Sequence, residues 1–205
     1  VSVSNGALHL TVRKEATPVN CGGYTTDYTS GMVSTWQQFT QTYGRFEVRA
    51  KLPPVTAAGL QETLWLWPAN ANFYGAWPAS GEVDFSEFYS QYSNLDVPVI
   101  HYDYDASTTN TATSTNVSTN YCQINLSQYN NYAVVWQPGS FQITINGTTC
   151  LTDNYQPNNV ASPAPFDQPF FIALTQALGV GTNALDPNTT PLPATTNVDY
   201  VRVWK

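Results

Sequence analysis

Basic side chains are scarce: the 205-residue chain holds seven Lys and Arg against fourteen Asp and Glu, and charged residues of both signs make up only 10% of it. The net charge is −7 and no stretch clusters Lys or Arg with aromatics. That argues against nucleic acid or an anionic membrane surface as a partner, since both call for a positive footprint. Long apolar runs are missing too. None approaches the roughly 20 residues of a membrane-spanning helix, and Val1 onward shows neither the basic nor the apolar region of a secretory leader. The chain therefore reads as soluble, with any signal peptide removed. Cysteine stops at Cys21, Cys122 and Cys150, without CxxC or Cys/His spacing, so zinc is not expected. One disulfide plus a leftover thiol is the natural reading. Cys122 and Cys150, each at the edge of a strand-rich stretch, are the favoured pair, with three free thiols as the alternative. No segment of ten or more residues holds a helical apolar period, and Ser127 to Asn131 offers a single turn at most.

Aromatics, by contrast, reach 14%, and surface polarity must come from Thr, Asn, Ser and Gln. That is the composition of many extracellular β proteins. A neutral polysaccharide needs no charge complement, and exposed aromatic faces suit the apolar faces of sugar rings. Strand patterns recur at short intervals: Ala7 to Arg13, Met32 to Trp36, Gly44 to Leu52, Thr63 to Trp67, Glu82 to Tyr89, Val97 to Tyr104, Asn131 to Gln137, Phe141 to Ile145, Phe170 to Gln176 and Asn197 to Trp204. Asn146-Gly147 signals a hairpin. Ser107 to Asn120 and Asp186 to Pro193 read as loops. Strands of one character resume on both sides of each, so we expect one all-β domain, a sandwich or barrel. The sequons at Asn116, Asn125, Asn146 and Asn188 arise readily in such a composition and identify no host.

The most informative run is Glu82-Val83-Asp84-Phe85-Ser86-Glu87, three carboxylates in six residues. Period-2 alternation puts Glu82 and Asp84 on one face and Val83 and Phe85 on the other, in the core. Glu87 is out of phase. A β-bulge at Phe85-Ser86 would absorb one residue and return it to the acidic face. The Cα atoms of Glu82 and Glu87 would then be roughly 13 Å apart, a gap that two inward-leaning side chains could largely close. A carboxylate separation near ~5 Å suits a retaining glycosidase. A solvated strand face and a calcium cluster are the alternatives; the crowd of Trp65, Trp67, Trp77, Phe88 and Tyr89 argues against the first, and the strand pattern against the second.

The run resembles the bulged ExDxxE signature of family-16 glycoside hydrolases, the laminarinase-like enzymes. Other segments fall in the family's order: Tyr43 to Pro53 looks like the strand before the cleft, Trp77-Pro78-Ala79-Ser80-Gly81 like the lead-in to the catalytic strand, and Val198 to Val203 like the closing strand. The likeness spans Gly6 to Trp204. It implies a β-jelly-roll sandwich of concanavalin A-like lectin/glucanase architecture. Carried over by position, Glu82 would be the nucleophile and Glu87 the general acid/base, with Asp84 tuning Glu82 from the same face. Trp65 and Trp77 would line the cleft and stack on sugar rings, core packing being their plain alternative. His101 resembles a cleft histidine, although a satisfied core histidine would look the same, and Gln176 falls at a strand end near the concave face. Asp199 and the Gly6 carbonyl match positions of an optional structural calcium site; catalysis itself needs no cofactor.

The chain departs from the family where members usually carry Trp-Pro-Ala-x-Trp, having Gln61-Glu62-Thr63-Leu64-Trp65 instead, which bears on the preferred sugar. Glu62 should face away from the cleft by alternation. Members usually begin upstream, so residues 1–205 are expected to be a single catalytic domain trimmed of an N-terminal strand, which could also have held a partner for Cys21. The resulting expectation is a secreted, monomeric endoglycosidase that cleaves internal β-1,3 linkages of a laminarin-like β-glucan with retention. The rivals are an agarase-like galactan hydrolase, a glucan transglycosylase and a lectin-like module that binds glycan without cutting it.

Overall fold

The computed structural model describes residues 1–92, 94–102, 109–110, 117–158 and 160–205. Among these, seventeen strands, numbered here in chain order, build two sheets. The outer sheet runs β1 (Ser2–Ser4), β2 (Ala7–Cys21), β17 (Ala194–Trp204), β5 (Gly44–Lys51), β13 (Asn130–Gln137), β14 (Ser140–Ile145), β15 (Thr148–Asp153), with β3 (Tyr24–Thr29) paired to β2. The inner sheet runs β10 (Thr109–Asn110), β11 (Val117–Thr119), β9 (Val99–His101), β7 (Glu82–Tyr89), β6 (Leu60–Pro68), β16 (Phe170–Leu178), β4 (Gly31–Ser34). At its flank, β8 (Leu95–Asp96) pairs with β7 and β12 (Cys122–Gln123) with β8. Pairing is antiparallel except between β10 and β11. Most spatial neighbours are distant in sequence, as the expected jelly-roll sandwich requires.

Alternation decides which side of each strand meets the core. In β5, Phe46, Val48 and Ala50 point inward, and in β13 Tyr132, Val134 and Trp136 do so; opposite them lie Leu64 and Leu66 of β6, Val83, Phe85 and Phe88 of β7 and Ile172 and Leu174 of β16. The Asn146-Gly147 hairpin joins β14 to β15, both residues holding the positive φ that the tight turn demands. β2 runs past its expected end at Arg13. Its pairing with β3 is interrupted between Lys14 and Val19, around Pro18, and then resumes to Cys21, where Gly22-Gly23 at φ of 62° and 106° reverses the chain. An irregular edge of this kind hides a strand from a period-2 reading. The strand expected over Val97 to Tyr104 is Val99–His101, and residues 103–104 lie outside the described residues. Of the loop expected from Ser107 to Asn120, residues 107–108 and 111–116 also lie outside them, with the Asn116 sequon, while β10 and β11 occupy parts assigned to loop. Cys122 and Cys150 form a disulfide with Cα atoms 5.8 Å apart, tying β12 of the inner sheet to β15 of the outer; Cys21 is the free cysteine.

One polar group crosses the core. Glu62, on the buried side of β6, accepts a hydrogen bond from Gln176 Nε2 of β16, and Gln176 Oε1 accepts one of 2.8 Å from the Thr196 hydroxyl of β17. Burial pushes the Glu62 carboxyl up from 4.5 to about 8, against the pull of the Gln176 donor. Because the folded-state value is raised, the protonated acid's contribution is fully present below pH 4.5 and is lost as pH rises through about 8. Glu62→Gln keeps the acceptor and removes the titration. Denaturant melts should show the variant more stable than the parent by on the order of 1–3 kcal/mol at pH 7, with the gap closing near pH 4. A gap that does not change with pH would refute the buried neutral acid.

Candidate active site

The β6–β7 ladder carries the bulge. Thr63 stands opposite Glu87 and Leu64 opposite Ser86; the next pairs are Trp65 with Asp84 and Leu66 with Val83, so Phe85 has no partner. The consequence is a change of parity within β7. Glu87 shares the face of Thr63, Asp84 that of Trp65, and Glu82 falls level with Trp67, so all three acids stand on the open side of the inner sheet. Phe85, fully buried, fills the core beneath them. The Ser86 hydroxyl also points inward and donates 2.7 Å to Asp96 Oδ1, anchoring the bulge to β8.

Each acid has its own environment. The Trp77 indole N–H donates to Glu82 Oε2 at 2.5 Å. His101, opposite Glu82 on β9, places Nε2 3.5 Å from Asp84 Oδ2, and its ring lies 5.3 Å from that of Trp77. Gln61 Nε2 donates 2.7 Å to Glu87 Oε1, and the Tyr89 hydroxyl bonds the same carboxylate.

Burial dominates the electrostatics. It pushes Glu82 up to about 7, opposed by the Trp77 indole and reinforced by the charge on Glu87. It raises Asp84 well above the usual carboxylate range, with Glu82 and Glu87 adding to the effect. Glu87 is raised as well, although Tyr89 and Gln61 both favour its anion. Three largely buried acids side by side do not all ionise, so the set keeps a proton near neutral pH. Burial drops His101 to about 4, leaving it a neutral neighbour of Asp84 rather than an ion-pair partner. Ligand atoms of Glu82, Asp84 and His101 lie within 4.8 Å of one another, a spacing that a cation would accept. The indole bond to Glu82, however, marks a carboxylate held by a donor.

Among the other expected site residues, Trp65 stands on the open face, bonded through its indole N–H to Thr175 Oγ1 at 3.0 Å and set edge-on to Trp67. Trp77 is 48% exposed above Glu82. Gln176 requires a correction: it is fully buried between the sheets in its bond with Glu62, and its neighbour Thr175 takes the open face. Of the expected calcium positions, Gly6 lies in the turn between β1 and β2 at a φ of 75° and Asp199 stands on β17. Asp199 Oδ2 is ion-paired with Arg49 on the outer surface. Sequence reasoning missed the roles of Gln61, Trp67, Tyr89 and Thr175. Gln61, Trp67 and Tyr89 sit two or four residues from an assigned site residue and Thr175 bonds the Trp65 indole from the next strand, so the strand register was the signal that could have found them.

A model of the Glycosyl hydrolases family 16 matches residues 1–201. A keratan-sulfate endo-1,4-beta-galactosidase of Sphingobacterium multivorum is 33% identical over 87% of this chain and 40% of its own length. Glucan endo-1,3-beta-glucosidase A1 of Niallia circulans is 31% identical over the whole chain and 30% of its own length. The chain thus spans less than half of these curated relatives. Among solved structures, the laminarinase catalytic domain of Thermotoga maritima MSB8 superposes with a TM-score of 0.80 at 25% identity, covering 100% of this chain and 79% of that one. LamAcat of Zobellia galactanivorans gives 0.77 at 26% identity, covering 99% and 79%.

Proposed function

Because the chain belongs to glycosyl hydrolase family 16, we propose that it cleaves internal β-1,3 linkages of a neutral, laminarin-like glucan with net retention. The observation that carries this reading is the bulge at Phe85, which sets Glu82 and Glu87 on one open face. Glu82 attacks the anomeric carbon while Glu87 gives its proton to the departing glycosidic oxygen, so one C–O bond forms as the other breaks. The ester neutralises Glu82, which lets Glu87 stay ionised, with Gln61 and Tyr89 as donors, and take a proton from the attacking water. Asp84, buried beside both and touching His101, holds charge or proton according to the state of its neighbours. Two carboxylates supply both roles, so the reaction needs no cofactor, and both come from one strand of one chain, in keeping with a monomer. The Cys122–Cys150 bridge favours an oxidising, extracellular setting.

A sulfated galactan calls for cationic side chains, and the open-face residues flanking the acids on β6, β16 and β9 are Gln61, Thr63, Trp65, Trp67, Thr175 and a neutral His101. A neutral glucan fits them better. The test is a reducing-end assay against laminarin, mixed-linkage glucan, agarose and κ-carrageenan, with products sized by mass spectrometry. Short glucan oligomers from laminarin are expected. Cleavage of agarose alone would move the substrate to a galactan, and binding without cleavage of any polymer would make the chain a lectin-like module.

A further inference from the structure

The two ends of β7 are held by different neighbours. On the edge away from β6, the half of the strand that carries Glu82 pairs with β9: Glu82 stands opposite His101, Val83 opposite Ile100 and Asp84 opposite Val99. The half that follows the bulge pairs with β8 instead, Phe88 opposite Asp96. Between those pairs β7 advances four residues, Asp84 to Phe88, while its partners step back three, Val99 to Asp96, so the extra residue is felt on this edge too. Two bonds pin the segment that contains it. The Val97 N–H donates 2.8 Å to the Glu87 carbonyl, and the Ser86 hydroxyl donates 2.7 Å to Asp96 Oδ1. One fixes the backbone of Glu87; the other fixes the residue before it.

Neither side chain suits its surroundings. Ser86 is 1% exposed and Asp96 0%, and Asp96 Oδ2 has no hydrogen-bond partner among the described residues. A buried acid with one oxygen unpaired costs stability, yet the one tie it makes lands on the residue next to Glu87. We propose that Asp96 is a positioning residue: by holding Ser86 it sets the bulge, and so aims the Glu87 carboxyl at the glycosidic oxygen without touching substrate. The proposal rests on the acid/base role given to Glu87 above. β8 is itself secured, because Cys122 of β12 stands opposite Asp96 and is bridged to Cys150 of β15. Since β9 and not β8 holds the Glu82 half, loss of the tie misplaces the proton donor and leaves the nucleophile where it is.

The test separates aim from stability. Combining Ser86→Ala with Asp96→Val removes donor and acceptor together and strands no polar atom, so the double variant should melt close to the parent. On the polymer that the parent cleaves, its kcat should fall about ten- to a hundredfold with KM unchanged, the cost of a misplaced catalytic group. On an aryl glycoside with an activated leaving group, which departs without a proton, kcat/KM should stay at the parent's value. Ser86→Ala alone should show the same contrast, and Asp96→Asn, whose amide oxygen still accepts from Ser86, should recover most of the loss. The contrast between substrates is read at a temperature where every variant is folded, so it decides even if the melts differ. Equal losses on the two substrates, no loss on the polymer, or an Asp96→Asn variant no better than the double one would overturn the proposal. If the parent cleaves no polymer, or if Glu87→Ala itself loses both substrates alike, the acid/base reading falls and the proposal with it. If Glu87→Ala is selective and the double variant is not, the proposal falls alone.

Discussion

Glu82→Gln should abolish hydrolysis, by at least about a thousandfold, while the protein remains folded. The amide keeps the shape of the carboxylate and still offers an oxygen to the Trp77 indole, so the local structure has no reason to move. What it loses is the ability to form the glycosyl ester. No nearby group substitutes: Asp84, one strand step away in the ladder, is fully buried and held toward its neutral form. The measurement is the reducing-end assay on laminarin beside a circular-dichroism melt. Activity above a tenth of the parent's would remove Glu82 from the nucleophile role, whereas loss of the melt would show only that the side chain matters for folding.

The second expected result concerns Glu87→Ala. Polymer hydrolysis should fall by a comparable factor, because a sugar alkoxide leaves poorly without a proton. An aryl glycoside with an activated leaving group escapes that need in the first step and should still load Glu82. Azide, already an anion, then needs no base and has the space vacated beside Gln61 and Tyr89. Rescue with formation of a β-glycosyl azide is the outcome that assigns Glu87 as acid/base in a retaining reaction. Formation of the α-azide, or no rescue on the activated substrate, would show that Glu87 and Glu82 do not divide the work this way. Truncation also removes one of the charges that hold the Asp84 and Glu82 protons, so the surviving acids should titrate lower than in the parent.

The catalytic strand was readable because its anomaly was visible: Glu87 broke a period that Glu82 and Asp84 had set, and only an extra residue could reconcile them. β6 was readable for the opposite reason, a clean alternation of Glu62, Leu64 and Leu66 against Thr63, Trp65 and Trp67. β16 offered no such clue. Phe170 to Leu178 is nearly all apolar, so its parity could not be fixed from within, and Gln176 was assigned to the wrong face. The ion pair of Asp199 was hidden for another reason: its partner Arg49 sits on β5, 150 residues earlier, and only the folded sheet brings them together. The hydrogen bond from Gln61 to Glu87 likewise joins two strands whose register had to be known first.

The Glu62–Gln176–Thr196 bond system fixes more than a pH response. A slip of β16 by one residue along β6 would exchange the faces of every side chain on it. Gln176 would turn out to solvent, Thr196 would lose its acceptor, and Glu62 would be left in hydrocarbon with neither charge nor partner. These three side chains therefore act as a key between the mated parts, permitting one alignment of β6, β16 and β17 and rejecting its neighbours. The Trp67–Phe171 pair on the opposite face is aligned by that key without touching it.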